Sequence, residues 1–134
     1  MIPIEIKDLL QAEHSSSGAL IGIDEYIEKL SENAEVFAFF EKGCKGFVAF
    51  YANNIESKSS FITTVIVHPN ARGKGIAKML LRCVLATMRE RGFIQCSLEV
   101  QKTNIPAYNL YKSLGFDLIN EKEQSYILGL RLNN

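Results

Sequence analysis

The chain has 134 residues, of which 47% are hydrophobic and 22% are charged, a composition typical of a globular protein and not of a disordered or fibrous one. Its 15 basic residues balance its 15 acidic residues, so no overall charge attracts nucleic acid or an anionic membrane. The length fits one domain spanning residues 1–134. Since no apolar run approaches membrane-spanning length and the N-terminus does not resemble a secretory signal, we expect a cytoplasmic protein.

The cysteines argue against a metal site. Cys44, Cys83 and Cys96 lie far apart in the sequence, and each sits in an apolar stretch. A zinc site needs closely spaced ligand pairs such as Cys-x-x-Cys, which the chain lacks. We therefore expect three reduced, buried cysteines and no bound metal.

The first half of the chain predicts two helices followed by three antiparallel strands. Apolar residues recur at helical spacing in 3–12 and again in 23–30, where Asp24 is the expected N-cap. His68 and Pro69 mark the end of the last strand, because proline cannot donate a hydrogen bond to a neighbouring strand. The three strands are predicted from runs rich in aromatic and β-branched residues at 36–40, 46–52 and 61–67.

The second half predicts a helix, a strand, another helix and two final strands. A long helix begins after Gly75 and ends at Gly92, and residues 93–100 alternate as a strand whose apolar face starts at Ile94. The expected apolar face of the long helix comprises Ile76, Met79, Leu80, Cys83, Val84 and Met88. The later elements are expected at 105–113, 116–120 and 125–132. This order predicts an α/β (α+β) fold: a mixed, mostly antiparallel sheet flanked by helices, with one parallel β-α-β crossover.

The segment between the third strand and the long helix has the features of a phosphate-binding loop. Gly73 and Gly75 allow the backbone to approach a ligand closely, and the first amides of the helix point out of its N-terminus. Such amides bind phosphate oxygens, and Arg72 and Lys74 add positive charge. The segment lacks the P-loop motif, and Lys78 stands where a dinucleotide-binding fingerprint needs glycine or alanine. The alternative is a glycine-rich turn with solvated charges.

The run Arg72-Gly-Lys-Gly-Ile-Ala77 resembles the R/Q-x-x-G-x-G/A signature of the GNAT acetyltransferases, and it follows a strand and a V-x-P turn as in that family. The resemblance implies that the pyrophosphate of CoA is held by the amides of Arg72, Gly73, Lys74, Gly75, Ile76 and Ala77. It also implies that the pantetheine arm pairs with main-chain groups of Val65, Ile66 and Val67. Preorganised amides at that place would polarise the thioester carbonyl, which gains negative charge when it is attacked.

A basic stripe follows the same loop along the long helix. Lys74, Lys78 and Arg82 recur at four-residue steps and therefore lie on one side of the helix. Two interpretations stay open: the stripe contacts the outer phosphate of CoA, or it is the solvated face of an amphipathic helix.

A second part of the sequence resembles the C-terminal half of GNAT enzymes, particularly the peptide N-terminal acetyltransferases. The resemblance is carried by Leu98-Glu-Val100, Asn104, Ala107, Tyr111 and Leu114-Gly-Phe116. It implies that Tyr111 donates to the leaving sulfur of CoA, the alternative being a packed aromatic. It offers Glu99 as the general base, the alternative being a solvent-facing glutamate. Asn104 is expected to cap the short helix, and the resemblance adds a contact between its amide and CoA.

Together the two parts cover residues 61–116 and predict an N-acetyltransferase that uses acetyl-CoA as cosubstrate. The acceptor is a primary amine, of a peptide or of a small molecule, which attacks directly in a ternary complex because no cysteine lies in the motifs as a covalent carrier. The alternative is a non-catalytic acyl-CoA-binding module for sensing or partner binding, which needs neither Tyr111 nor Glu99. The identity of the acceptor, the presence of an initial family strand and the oligomeric state stay open.

Overall fold

The structure is a computed structural model that describes residues 33–133. The two helices expected in 3–12 and 23–30, the Asp24 cap and any initial strand lie outside the described residues. The described elements are β1 (Glu35–Phe40), β2 (Cys44–Tyr51), β3 (Ser59–Val67), α1 (Ile76–Glu90), β4 (Gln95–Gln101), α2 (Ile105–Ser113), β5 (Asp117–Glu121) and β6 (Ser125–Arg131). Among these residues no helix has both the length and the apolar character needed to cross a membrane.

The six strands form one sheet in the order β1-β2-β3-β4-β6-β5. Strands β3 and β4 are parallel, with Ser59 opposite Gln95, and α1 is the helix of this crossover. The pairs β1–β2, β4–β6 and β5–β6 are antiparallel. The predicted fold class, a mixed and mostly antiparallel sheet with helices and one parallel crossover, is confirmed.

The described chain forms two compact units, each with its own buried residues. The first unit comprises 33–50 and Thr64–Val84, and the second comprises Tyr51–Thr63 and 85–133. The first unit buries Phe47, Val48, Ala49, Phe50, Ile66, Ile76, Leu80, Leu81 and Val84. The second buries Ile62, Leu85, Met88, Phe93, Cys96, Leu98, Val100, Tyr111, Phe116 and Leu128. The loop and the start of α1 belong to the first unit, whereas Glu99, Asn104 and Tyr111 belong to the second.

Helix α1 buries a face that differs from the predicted one. Leu81 and Leu85 are buried together with Ile76, Leu80, Val84 and Met88, whereas Met79 is 41% exposed and Cys83 is also exposed. Steps of four residues align 76, 80, 84 and 88, and residues 81 and 85 lie on one side of that line while 79 and 83 lie on the other. The expectation that all three cysteines are buried is therefore wrong for Cys83, although none of the three forms a disulfide.

Strand β4 begins one residue later than its predicted apolar face. Phe93 is buried, but Ile94 precedes the strand and is 37% exposed, so it does not belong to the buried face. Its backbone is nevertheless held, because the Ile94 amide donates to the Lys58 carbonyl and its carbonyl accepts from the Leu132 amide, each at 2.8 Å. The alternation from Cys96 onwards is as predicted, with Glu99 on the exposed face.

Candidate active site

The loop between β3 and α1 starts with a 3-10 turn, Pro69–Ala71, that is anchored by His68. The Nδ1 atom of His68 accepts a hydrogen bond from the Asn70 amide at 3.0 Å, and the His68 amide donates to the Lys45 carbonyl at 2.8 Å. The Nε atom of Arg72 donates to the Val67 carbonyl at 3.3 Å, so this side chain lies against the end of its own strand. These contacts fix the point at which the chain leaves the sheet.

The glycines after Arg72 turn the chain into the helix with a row of open amides. Gly73 and Gly75 have φ angles of +79° and +78°, a left-handed conformation that glycine adopts without strain. Among residues 33–133 no acceptor pairs with the amides from Gly73 to Lys78, and the Met79 amide is the first to find a carbonyl, that of Gly75 at 3.0 Å. A helix N-terminus leaves four amides free, and the loop adds two more donors, those of Gly73 and Lys74.

The last residues of β3 pack closely on the start of α1. Val65, Ile66 and Val67 lie beyond the section of β3 that is paired with β4, and Ile66 is buried. A Cβ atom at Gly46 would lie 3.1 Å from both the Ile66 carbonyl oxygen and Cγ2 of Ile76. Glycine at position 46 therefore lets the strand end and the helix start approach each other.

A cavity of about 500 Å³ opens beside this loop. One side is formed by the loop and the first turn of α1, where Lys74, Gly75 and Ile76 contribute. The other side is formed by residues of the β1–β2 hairpin, which the sequence did not suggest as functional. Of the basic stripe, only Lys74 belongs to the described lining, and Arg82 is exposed elsewhere on the helix.

Tyr111 is a buried residue of α2, with only 7% of its surface exposed. Its ring packs edge-on against Phe116 with the ring centroids 6.0 Å apart, and its carbonyl accepts the Phe116 amide at 3.1 Å. Burial raises the pKa of Tyr111 to about 12. The ring therefore packs as a core aromatic, and the hydroxyl keeps its proton at neutral pH as a hydrogen-bond donor must.

Glu99 lies on the exposed face of β4 with a side chain that is 37% exposed. The Oγ atom of Ser125 donates to Glu99 Oε2 at 2.5 Å, and Lys122 Nζ lies 3.4 Å from Oε1. The Ser125 hydrogen bond, with a smaller contribution from Lys122, lowers the pKa of Glu99. The carboxylate is therefore ionised at neutral pH and able to accept a proton, although it is a weaker base than a solvated glutamate.

Ser125 and Lys122 were not predicted as neighbours of Glu99. Strands β4 and β6 pair with Glu99 opposite Ile127 and Gln101 opposite Ser125. Because alternate residues share one face of a sheet, 125 and 127 lie on the same face as 99 and 101. The polar Ser125 at the start of the predicted last strand was the available signal, but its partner depends on the register, which the sequence pattern leaves open.

Asn104 caps α2 as predicted. Its Oδ1 atom accepts a hydrogen bond from the Ala107 amide at 3.3 Å, and the residue is exposed. The cap engages the oxygen and leaves the two side-chain N–H donors, which suit carbonyl or phosphate oxygens. Within 33–133 no group of three or more His, Cys, Asp or Glu side chains is arranged to hold a metal ion.

The family model described as "Acetyltransferase (GNAT) family" matches residues 4–116. The chain belongs to the GNAT acetyltransferase family. The match includes the glycine loop, Glu99, Asn104 and Tyr111, and it confirms the resemblance drawn from the two sequence motifs.

Two curated relatives carry different names. Streptothricin acetyltransferase of Streptomyces lavendulae is 34% identical over 88 residues, which are 63% of this chain and 47% of that protein. The ribosomal protein bS18-alanine N-acetyltransferase of Salmonella typhimurium is 30% identical over 69 residues, which are 52% of this chain and 47% of that protein. The chain spans about half the length, or less, of the curated relatives it matches.

The fold is shared with solved structures at low sequence identity. The crystal structure of the PaiA N-acetyltransferase from Thermoplasma acidophilum, in complex with coenzyme A, superposes with a TM-score of 0.76 and 15% identity. The superposition covers 96% of this chain and 91% of the other. At this identity the likeness shows a common fold.

Proposed function

We propose that this chain binds acetyl-CoA and transfers the acetyl group to a primary amine. The observation that carries the proposal is the row of amides from Gly73 to Lys78, which find no acceptor among the described residues. Such donors at the start of a helix fit the oxygens of a pyrophosphate. The GNAT family match and the coenzyme A in the Thermoplasma acidophilum structure support the same ligand.

The chain's main-chain groups would hold most of the cosubstrate, which supplies an acetyl group activated as a thioester. The pyrophosphate would be bound by the amides of Arg72, Gly73, Lys74, Gly75, Ile76 and Ala77. The pantetheine arm and the thioester carbonyl would be bound by main-chain groups of Val65, Ile66 and Val67, with the side-chain amide of Asn104 as a further donor. Fixed donors aimed at the carbonyl oxygen stabilise the charge that develops there.

Glu99 and Tyr111 are proposed to handle the protons of the reaction. Glu99 accepts one proton of the ammonium directly or through water, and the neutral amine then forms its bond to the carbonyl carbon. As the carbon–sulfur bond breaks, the second proton leaves the nitrogen and reaches the departing thiolate through solvent. The Tyr111 hydroxyl donates a hydrogen bond to the departing sulfur. Because its pKa is about 12 and that of a thiol is about 8.5, full proton transfer to sulfur costs about 5 kcal/mol, so the donated hydrogen bond is the main contribution.

Direct attack in a ternary complex agrees with the state of Cys96. Cys96 lies in β4, next to the strand positions that carry the resemblance, but it is buried. Burial raises the pKa of Cys96 to about 12, with a smaller opposing effect of the Ser60 hydrogen bond. A thiol that stays protonated is a poor covalent carrier of an acetyl group. None of the three cysteines forms a disulfide, which also suits the reducing cytoplasm, the proposed compartment.

Two classes of acceptor remain within the proposal, a peptide α-amine and the amine of a small molecule. The resemblance at 98–100 favours the peptide, whereas the two relatives named above differ in acceptor, bS18 alanine in one and streptothricin in the other. A turnover screen with acetyl-CoA and a panel of peptides, polyamines and amino sugars separates these classes.

Calorimetry and thermal melting with CoA test the proposal before any acceptor is known. We expect one site per chain and a raised melting temperature, since a ligand that binds only the native state stabilises it. Absence of heat and of a melting shift at millimolar CoA would refute the proposal. CoA binding without turnover of any amine would favour the non-catalytic acyl-CoA-binding module instead.

A further inference from the structure

We propose that the cavity beside the glycine loop receives the 3′-phosphorylated adenosine end of CoA, and that Lys42 and Lys45 bind the 3′-phosphate. We call these two residues the hairpin lysines, because Lys42 lies in the turn that joins β1 to β2 and Lys45 lies near the start of β2. The inference rests on the proposed function, and it assigns a role to a segment outside both sequence motifs.

The cavity adjoins the amides that would hold the pyrophosphate. Lys74, Gly75 and Ile76 belong both to the row of proposed pyrophosphate donors and to the described wall of the cavity. In CoA the adenosine is bonded directly to the pyrophosphate, so its position is limited to the immediate surroundings of these amides. The cavity volume of about 500 Å³ falls within the range of small-molecule sites.

The charge of the cavity suits a phosphate monoester. Its described lining contains the hairpin lysines and Lys74 against one acidic residue, Glu41, although the chain as a whole has zero formal charge. Among the described residues none of these three lysines forms an ion pair, whereas Lys102 and Lys112 lie 2.6 and 3.0 Å from carboxylate oxygens. A phosphate monoester carries about −1.5 to −2 charges at neutral pH, so a surplus of lysine ammonium groups stabilises it.

The apolar part of the cavity suits a purine ring. Phe39 and Met79 contribute to the lining, and Met79 is the α1 residue that was predicted to be buried but is 41% exposed. Nucleic-acid bases stack on aromatic side chains, and methionine adapts its shape to the groups it contacts. In this proposal the exposed Met79 side chain contacts the purine ring.

The competing assignment is the other part of the basic stripe. Lys78 and Arg82 follow Lys74 along α1 but do not belong to the described lining of the cavity. The hairpin lysines and the pair Lys78 and Arg82 each supply two positive charges near the start of α1. Replacing either pair by alanine therefore gives two variants of equal charge change.

The test compares CoA with 3′-dephospho-CoA by calorimetry, in the wild type, in Lys42→Ala/Lys45→Ala and in Lys78→Ala/Arg82→Ala. We expect the wild type to prefer CoA by about tenfold or more, which is the size of one charge-assisted hydrogen bond. The hairpin variant should lose this preference because its affinity for CoA falls to that for dephospho-CoA, which stays unchanged. The Lys78→Ala/Arg82→Ala control should keep the preference.

The backbone at position 42 makes the hairpin variant informative. Lys42 has a φ angle of +57°, and alanine bears the same steric penalty there as lysine, so the change removes the ammonium group and not a favourable turn. Melting temperatures of both variants check that the fold is kept.

Three results would overturn the inference. The first is a wild type that binds both ligands equally, and the second is loss of the preference in the Lys78→Ala/Arg82→Ala control instead. The third is a hairpin variant that weakens both ligands by the same factor, which would indicate a general charge effect. If the wild type binds neither CoA nor dephospho-CoA, the proposed function fails as well. Failure of the proposed function can therefore be distinguished from the three results that overturn the inference alone.

Discussion

The glycine loop before α1 and the region formed by β4, α2 and β6 offer two different kinds of functional group. In the loop the candidates are main-chain amides, and those from Gly73 to Lys78 have no acceptor among the described residues. In the second region the candidates are side chains that already have structural partners: Tyr111 packs on Phe116, and Glu99 accepts from Ser125. A main-chain site depends on backbone conformation, whereas a side-chain site depends on the surroundings that set its pKa.

This difference determines how each region should respond to substitution. A change in the loop should act on the affinity for CoA, because the amides contact the ligand before and after reaction alike. A change at Tyr111 or Glu99 should act on turnover and on its pH dependence while binding stays the same. Each of the first three variants below has a control in the same unit or with a change of the same kind.

The largest effect is expected for Gly75→Val. The φ angle of +78° is strongly unfavourable for a β-branched residue, so the loop must change its conformation and misdirect the amides. Loss of two charge-assisted hydrogen bonds, at about 1.5–3 kcal/mol each, corresponds to a rise in the Kd for CoA of about 100-fold or more. Calorimetry measures this change.

Gly92→Val is the matched control. Gly92 follows α1 with a φ angle of +85°, and, as at Gly75, a Cβ atom there meets nothing within 4 Å. The two variants therefore carry similar backbone strain and should melt at similarly reduced temperatures. If Gly92→Val weakens CoA binding as much as Gly75→Val, the loss reflects general destabilisation, and the loop assignment is wrong.

The next effect is expected for Tyr111→Phe, which keeps the buried ring and removes the hydroxyl. Turnover should fall by about tenfold to a thousandfold, the range for one positioned acid or donor, while acetyl-CoA binding changes little because a thioester sulfur accepts hydrogen bonds poorly. Since the pKa of Tyr111 is about 12, the wild type should show no alkaline loss of turnover from this group below about pH 10.

Tyr108→Phe serves as the control for Tyr111→Phe. Tyr108 lies on the same helix and packs against Tyr126 with ring centroids 5.4 Å apart. Removal of the Tyr108 hydroxyl should leave kcat within about twofold of the wild-type value, because substitutions away from the reacting groups have small effects. Turnover of Tyr111→Phe at the wild-type rate would identify Tyr111 as a packing aromatic.

The fold was predictable because its signals are local. Strands expected at 46–52 and 61–67 occur at Cys44–Tyr51 and Ser59–Val67, since β-branched and aromatic runs between turn residues need no knowledge of their partners. The loop was predictable for the same reason, as glycine spacing directly reflects backbone conformation. The buried face of α1 was not, because the choice between Leu81 and Met79 depends on which side of the helix is covered.

The surroundings of Glu99 were the least predictable part of the candidate site. Alternation placed Glu99 on the exposed face of β4, but the Ser125 hydrogen bond follows from the register with β6. A shift by one residue would move Ser125 to the other face of the sheet. The pKa of a side chain therefore depends on long-range pairing that a single sequence does not specify.

A smaller effect, and one that depends on pH, is expected for Glu99→Gln. Near pH 7 the attacking amine is protonated and needs a base, so turnover should fall by about tenfold to a hundredfold. The defect should shrink as pH rises, because a neutral amine no longer needs the base. This decrease should occur at a lower pH for an α-amine, whose pKa is about 8, than for a lysine, whose pKa is about 10.4. Because the Ser125 hydrogen bond lowers the pKa of Glu99, its own protonation should not limit the wild type near neutral pH.

Glu121→Gln provides the control for Glu99→Gln. The Glu121 carboxylate is paired with Lys102 at 2.6 Å in the same unit, so the control removes one carboxylate that is also paired with a lysine, although its side chain is more exposed than that of Glu99. Profiles of kcat against pH should be parallel for the wild type and Glu121→Gln. A Glu99→Gln defect that stays constant from pH 6 to pH 10 would show that Glu99 is not the base.

The smallest effect is expected for Ser125→Ala, which tests the hydrogen bond that holds Glu99. Ser125 Oγ is the largest cause of the lowered Glu99 pKa, and Lys122 remains in the variant, so the pKa should rise part of the way towards its usual 4.5. A carboxyl whose pKa is lowered in the folded protein stabilises the fold above its unfolded pKa and loses that contribution as pH falls through its folded value. The free energy of unfolding should therefore drop by about 1 kcal/mol at pH 7, after allowance for solvent exposure, and the difference in this free energy from wild type should narrow below about pH 4.5.

Urea unfolding of Ser125→Ala and of the wild type at pH 7 and at pH 3.5 measures this difference. Turnover at pH 7 should stay close to wild type, because Glu99 is ionised in either protein. A difference in stability that is the same at both pH values would mean that Ser125 contributes by packing alone.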